Sequence, residues 1–445
     1  MGYTYELSKF ISNLSESDIP DAILEEVRCR TLDWLGCAIG SLNKRSVREI
    51  LTIITEIGGN PQSTVLGVSP KTSTGNAAFA NSIMGHALEY DDVDKTSISH
   101  PGALAIPVAL AVSERYEKDF LQYAIGVIVG YEVMIRLGSS LNPSHYDYWH
   151  TTGTCGTFAA AATAARIMNF SPRELEQSMG IAGTMVSGLV CVFGTDAKLV
   201  NVGNAARNGI VSAELVKHGF TAPSGIIEME NGYASATCTE KDLSMITPKT
   251  GDTLMIRNAY YKIHASCGHT HSALDALSEL MSENDFSAKD VLHIEVEAYR
   301  KAIELTRELK NHSEQEAKFS MPYCLAVMLL YGEVTANKFS DETLHDEHIL
   351  NLARKITVRE NPSFTTNYPA KRLERVTLTL KDRNLTKLVE LSFGKPPIDF
   401  IKHKFLLLAG NTIGTKSAHS IAEIVLSAKP ETNISEYMGK IRKEL

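Results

Sequence analysis

The sequence predicts a mainly α protein: a large all-helical domain over residues 1–265, completed by a returning stretch 399–445, and a smaller α+β domain over 266–398. Three observations carry this expectation. Apolar residues recur at helical spacing up to about residue 260, the period switches to two after about residue 285, and helical texture returns after the break Gly394-Lys395-Pro396-Pro397. A chain of 445 residues has room for roughly two or three domains, each with its own core.

Each element follows from local chemistry. Leu24, Val27, Thr31, Trp34 and Leu35 line one helical face after the start signal Ser17-Asp18-Ile19-Pro20. Further helices are expected over 77–88, 103–115, 120–137, 157–168, 171–187 and 205–218, the last closed by Gly219 where a C-cap favours glycine. The Ala-rich run Phe158 to Ala165 has side chains small enough for close helix crossings. In the smaller domain, Leu292, Ile294, Val296 and Ala298 alternate with His293, Glu295 and Glu297, as a strand with one buried face requires. Val376, Leu378 and Leu380 repeat that period, and the turn at Asp382-Arg383-Asn384 leads to Val389, Leu391 and Phe393, so 374–394 reads as a hairpin. Ile356 and Val358 add a shorter strand, and Ser320 with Pro322 opens a helix over 321–331. Residues 421–426 and 434–441 are helical again, and no fixed-period repeat points to a solenoid.

Composition excludes several classes. Against 52 Asp and Glu stand 44 Lys and Arg, a net charge of -8, so phosphate neutralisation along a nucleic acid is not expected. The seven cysteines are odd in number and form no CxxC pair, which argues against a disulfide framework or a zinc ribbon. The start MGYTYELSKF shows no basic region followed by an apolar stretch, and no uninterrupted apolar run is long enough to span a bilayer. The expectation is a cytoplasmic protein with no membrane partner.

Chemistry gathers in a few blocks. Glu89, Asp91, Asp92 and Asp94 lie just before His100-Pro101-Gly102, between two apolar helical stretches. Such a turn is usually solvated, yet crowded acids repel, and a partly buried one gains a raised pKa suited to proton transfer. His100 carries the imidazole suited to a general base near neutral pH. His150 precedes a Thr/Gly turn opening the Ala-rich helix, where exposed amides favour anions. Lys198 and Arg207 are cations near another helix start. The stretch Lys262-Ile263-His264-Ala265-Ser266-Cys267-Gly268-His269-Thr270-His271 is dense in ligand-type side chains, but ligands so nearly adjacent cannot readily surround one tetrahedral ion. No metal and no cofactor are expected. His345-Asp346-Glu347-His348 reads as a solvated segment.

Taken in order, EYDDVDKTSISHPG, WHTTGTCG, GTDAKLVNVGNAARNG, KIHASCGHTHSALDAL and SMPYCLAVMLLYG resemble the MmgE/PrpD family along essentially the whole chain. Known members dehydrate, decarboxylate or epimerise small carboxylic acids such as 2-methylcitrate, cis-aconitate and iminodisuccinate. The resemblance implies a helical domain built from both chain ends, a smaller α+β lid, a homodimer, and a cofactor-free site between the domains. Position by position, it implies Asp91 or Asp92 from the acidic block with His100, His150, Lys198, Lys262 and Tyr323; the expected catalytic set is His100, Asp91, Lys198, Lys262 and Tyr323, and the expected substrate contacts are His150, Cys267, Asp92, Glu89 and, from the dense histidine stretch, His271. Cys267 stands where decarboxylating members show a histidine-bearing pattern, Glu89 where they have an aspartate, and the loop between Asp92 and His100 differs in length by one residue.

The implied reaction is a lyase step, dehydration or decarboxylation, on a small di- or tricarboxylate. His100 would transfer the proton, Asp91 would orient it, Lys198 and Lys262 would offset charge developing next to a carboxylate, and Tyr323 would donate from the lid. An epimerase of an imino- or amino-dicarboxylate uses the same proton abstraction. A non-catalytic carboxylate-binding protein is the third reading.

Overall fold

A computed structural model describes residues 2–249, 252–391 and 396–445. It divides into two compact units: Met1–Cys191 with Ala197–Tyr261 and Lys395–Leu445, and Val192–Asp196 with Lys262–Gly394. The expected boundary after residue 265 therefore shifts, and Lys262 belongs to the smaller unit. Local pairing explains the shift. Tyr260 forms a bridge with Val93 in the large unit, whereas Ala265 N–H donates to the Val334 carbonyl and Cys267 N–H to the Lys318 carbonyl in the small one.

The large unit is helical. The helices Thr151–Ile167 and Ala197–Lys217 pack closely on one another, and each also meets Gly102–Arg115. Closeness follows from small residues: Ala160, Ala161 and Gly209 meet at the crossing, where a Cβ on Gly209 would collide with Ala160 and the Ala161 amide. Ile398–Ile413, which periodicity had not singled out, packs on Asp21–Gly40 and buries Ile401, Phe405 and Ala409. Its contact is again set by glycine, because Gly36 faces the Phe405 backbone. The C-terminal helices Thr415–Leu426 and Ile434–Glu444 complete this unit.

Several helix ends move relative to the expectation. The Ala-rich helix begins earlier, at Thr151, and the helix expected over 171–187 stops at Ala182. Phe120–Leu141 runs beyond the expected 137 and is long and apolar enough by composition to cross a membrane, but 89% of its most apolar window is buried within the protein. That is the setting of a core helix.

The small unit holds a four-stranded sheet of β1 (Val291–Ala298), β2 (Ile356–Glu360), β3 (Leu373–Leu380) and β4 (Asn384–Glu390), in the order β2-β1-β3-β4. β1 runs parallel to β2 and antiparallel to β3, and β3 pairs antiparallel with β4. Ile294, Val296, Val376 and Leu378 are buried as alternation predicts, but Leu292 is 50% exposed and Val291 takes the inward place. The register shifts between Val291 and His293, so the extra residue turns Leu292 outward. The hairpin ends at Glu390; its expected continuation through Phe393 and Gly394 lies outside the described residues, as does the Gly394-Lys395 half of the break. His271–Glu283 covers β3 and β4, and Met321–Tyr331 packs on that helix. Ser320 caps the latter by accepting from Tyr323 N–H.

Candidate active site

The acidic block is not a solvated turn. Glu89, Asp91, Asp92 and Asp94 are all buried, and each is committed to a different neighbour. The Thr74–His86 helix stops just before the block, and Glu89 then takes a positive φ of 52°, a left-handed conformation that side-chain-bearing residues adopt at a cost. Asp94 closes the loop by accepting from Ser97 N–H at 2.7 Å, with paired backbone hydrogen bonds between Asp94 and Ser99. The loop thereby returns the chain to His100.

Asp91 sits at the centre of this arrangement. Its Oδ2 accepts from His86 Nδ1 at 2.8 Å and lies 3.1 Å from His100 Nδ1. The two imidazoles meet edge to face, with ring centroids 4.6 Å apart, and His150 stacks on His86 at 6.0 Å. Burial alone would raise the Asp91 carboxyl, but the His86 and His100 rings hold it well below the usual carboxylate range. It is therefore an anion throughout the neutral range. His100 retains 14% of its side-chain exposure, against 0% for His86 and 2% for Asp91, so among these three it is the group a ligand can reach.

Lys198, at the start of Ala197–Lys217, forms a buried ion pair with Glu89, whose Oε1 is also 3.6 Å from His86 Nε2. His150, at the head of Thr151–Ile167, accepts at Nδ1 from Asn201 Nδ2 at 3.3 Å, which leaves its hydrogen on Nε2. Burial, then the charges of Lys198, His86 and His100, push His150 well below the ordinary imidazole value. It is neutral at pH 7. Thr152, one residue into the same helix, accepts from His100 N–H at 3.1 Å and fixes the His-Pro-Gly turn. Among the described residues, His86 Nε2 and Asp91 Oδ1 are buried without a hydrogen-bond partner.

Asp92, expected to contact substrate, has three partners within the large unit. Its Oδ1 accepts from Gly102 N–H at 2.9 Å, and its Oδ2 from Tyr131 Oη at 2.6 Å and Arg30 Nη1 at 3.1 Å. Burial pushes its carboxyl up to about 6 against the pull of Arg30 and those hydrogen bonds. The two adjacent aspartates thus serve different partners. A Cβ on Gly102 would strike Asp92 Oδ1 and Tyr131 Oη, so only glycine permits the contact.

In the small unit, Lys262 is fully buried and its charge, after burial itself and His264, lowers His271 well below the usual imidazole value. His271 Nε2 lies 3.3 Å from the Ser266 carbonyl, and His264 pairs with Asp275 at 3.0 Å. Cys267 is buried, with its amide on Lys318. Tyr323, expected to donate a hydrogen bond or proton, has its hydroxyl on the Lys338 carbonyl at 3.2 Å, and burial pushes it up to about 12. Within this unit, then, Tyr323 and His271 each have a backbone carbonyl within hydrogen-bond distance.

The residue that sequence reasoning missed is His86. It ends an apolar helix reading NSIMGH, where a histidine looks like core packing; its position three residues before Glu89 and five before Asp91 is the signal that could have found it. His86, Asp91 and His100 also bring potential ligand atoms within 4.8 Å of one another, the set here that a divalent ion could use. The His86–Asp91 hydrogen bond accounts for one of those distances.

Comparison with known proteins gives the family. Residues 5–246 match the MmgE/PrpD N-terminal domain and residues 264–429 the MmgE/PrpD C-terminal domain, and the chain belongs to this family. It is 26% identical to a cis-aconitate decarboxylase of Aspergillus terreus, covering 98% of this chain and 94% of that one. It is 24% identical to the cis-aconitate decarboxylase of Homo sapiens, covering 95% and 91%, and 24% identical to the 2-methylcitrate dehydratase of Escherichia coli O157:H7, covering 81% and 78%.

Proposed function

We propose that this protein is a lyase, a decarboxylase or dehydratase, acting on a small di- or tricarboxylate by proton transfer next to a carboxylate. The observation that carries the reading is the His86–Asp91–His100 group beside Lys198. Loss of carbon dioxide or water from such an acid passes through negative charge on carbon next to a carboxylate, which a preorganised cation in a dry setting stabilises better than water does. Lys198 is such a cation. His100, the exposed end of the group, moves the proton; Asp91, fixed as an anion by two imidazoles, orients His100 and supports its charged form. His150, kept neutral, presents an Nε2 hydrogen to an acid oxygen. No metal or cofactor enters any of these steps.

A second reading, epimerisation, draws on the same residues, because neutral His150 and His100 supply two imidazoles, as two-faced proton transfer needs. Incubating the protein with cis-aconitate, 2-methylcitrate and an amino-dicarboxylate in deuterated water, followed by proton NMR, separates the readings. A dehydratase loses water and forms a double bond, and a decarboxylase loses carbon dioxide, protonates the carbon and keeps or shifts the double bond. An epimerase places deuterium at a stereocentre and loses neither. Recovery of every acid unchanged and unlabelled would leave only a binding protein.

A further inference from the structure

Glu89 is the one member of the cluster whose chemistry the proton-transfer scheme does not use. It is 1% exposed, it meets Lys198 in a buried ion pair, and its backbone is held in the left-handed region at φ 52°. A residue with a side chain adopts that conformation only where its surroundings impose it. Here the imposed conformation delivers a carboxylate to the lysine that the proposed reaction needs for substrate.

We propose that Glu89 is a specificity-determining residue: its carboxylate occupies Lys198 in place of a substrate carboxylate, and a ligand that takes over Lys198 leaves Glu89 to take up one proton from solvent. The inference rests on the carboxylate-site reading above and adds the charge state in which the site accepts its ligand. No covalent bond is made or broken; the proton comes from the buffer and ends on the displaced Glu89 carboxyl.

The groups facing Glu89 decide which one titrates. Lys198 comes from Ala197–Lys217, His86 from Thr74–His86 with Nε2 at 3.6 Å, and His150 from the head of Thr151–Ile167; Asp91 and His100 lie just beyond His86. A ligand carboxylate at Lys198 makes a third negative group in this buried space. Carboxylates sharing one buried cation cannot all stay ionised. Asp91 keeps two imidazoles against its Oδ2, so Glu89 is the carboxylate that yields. Ligand affinity then falls as pH rises, by about tenfold per pH unit where one proton is linked to binding.

The test is isothermal titration calorimetry of the full-length protein with tricarballylate, an unreactive tricarboxylate, in buffers of different ionisation heat between about pH 6 and 8. Histidines add proton uptake of their own, so the readout is the difference between wild type and Glu89→Gln. Expected is uptake larger by about one proton in wild type, with a correspondingly steeper fall of affinity with pH. Equal uptake in the two proteins overturns the proposal while leaving the carboxylate site standing. Tricarballylate binding to neither protein sinks the carboxylate-site reading itself. Should the Gln variant not fold, Glu89→Asp decides: its shorter side chain lies farther from Lys198 and from a ligand carboxylate there, so its free and bound protonation states differ less and the linked uptake shrinks, and uptake equal to wild type's overturns the proposal.

Discussion

Asp91 and Asp92 are neighbours in sequence and opposites in electrostatic behaviour. Asp91, between two imidazoles, is held below the usual carboxylate range, so its contribution to stability is present above about pH 4 and is lost as pH falls through its lowered value. Asp92 has the reverse sign. With its carboxyl raised to about 6 by burial, the folded state binds its proton more tightly than the unfolded one, and stability declines as pH rises from about 4 to 6. The shift is on the order of 3 kcal/mol of pH-dependent stability. Denaturant unfolding of Asp92→Asn followed across that window is expected to lose this decline; a slope equal to wild type's would refute the assignment. His86 acts through Asp91. His86→Phe removes the 2.8 Å bond to Oδ2, and the expected result is a fall in kcat of roughly tenfold or more with KM little changed, plus a displaced pH profile. An unchanged pH profile would reduce His86 to packing.

Helix crossings place these side chains. Lys198 and His150 stand at the starts of two helices whose bodies touch at Ala160 and Gly209, so the approach there sets the distance between the two starts. Gly209→Val overfills the crossing and should cost about 1 to 3 kcal/mol of stability. Gly439, with open space around its Cβ position in the Ile434–Glu444 helix, is the contrast: Gly439→Ala should stabilise by up to about 1 kcal/mol. Thermal unfolding of both variants checks the pair, and two changes of the same sign would contradict it. The small residues were legible in FAAAATAA, as were the turns carrying Asp91, His100 and Lys198, because charge in an apolar setting stands out in a sequence. His86 was not, since nothing in its own helix distinguishes a core imidazole from a working one. Leu292 shows the other failure: period two was read correctly, but a bulge changes phase without changing composition.

At the scale of the molecule, both ends of the chain build one unit. The return of the tail could be read from the Gly-Lys-Pro-Pro break, but Ile398–Ile413 was passed over although it does the packing, because Lys and His residues interrupt its apolar face. Lys404 explains one of them: it is buried against Asp33 at 2.8 Å and donates to the Tyr90 carbonyl at 2.6 Å, next to Asp91. A chain truncated after residue 391 loses Ile401, Phe405 and this lysine together, and should show no cooperative unfolding of the large unit; a cooperative transition near the wild-type temperature would contradict that. In the proposed reading, dehydration, decarboxylation and epimerisation each pass a proton between substrate carbon and the His100 imidazole, in one direction or the other. Turnover by His100→Ala, on whichever acid the wild-type protein converts, is therefore the most direct measurement. A loss of about a hundredfold to ten-thousandfold in kcat, with the variant still folded, is the predicted result, and wild-type turnover would contradict it.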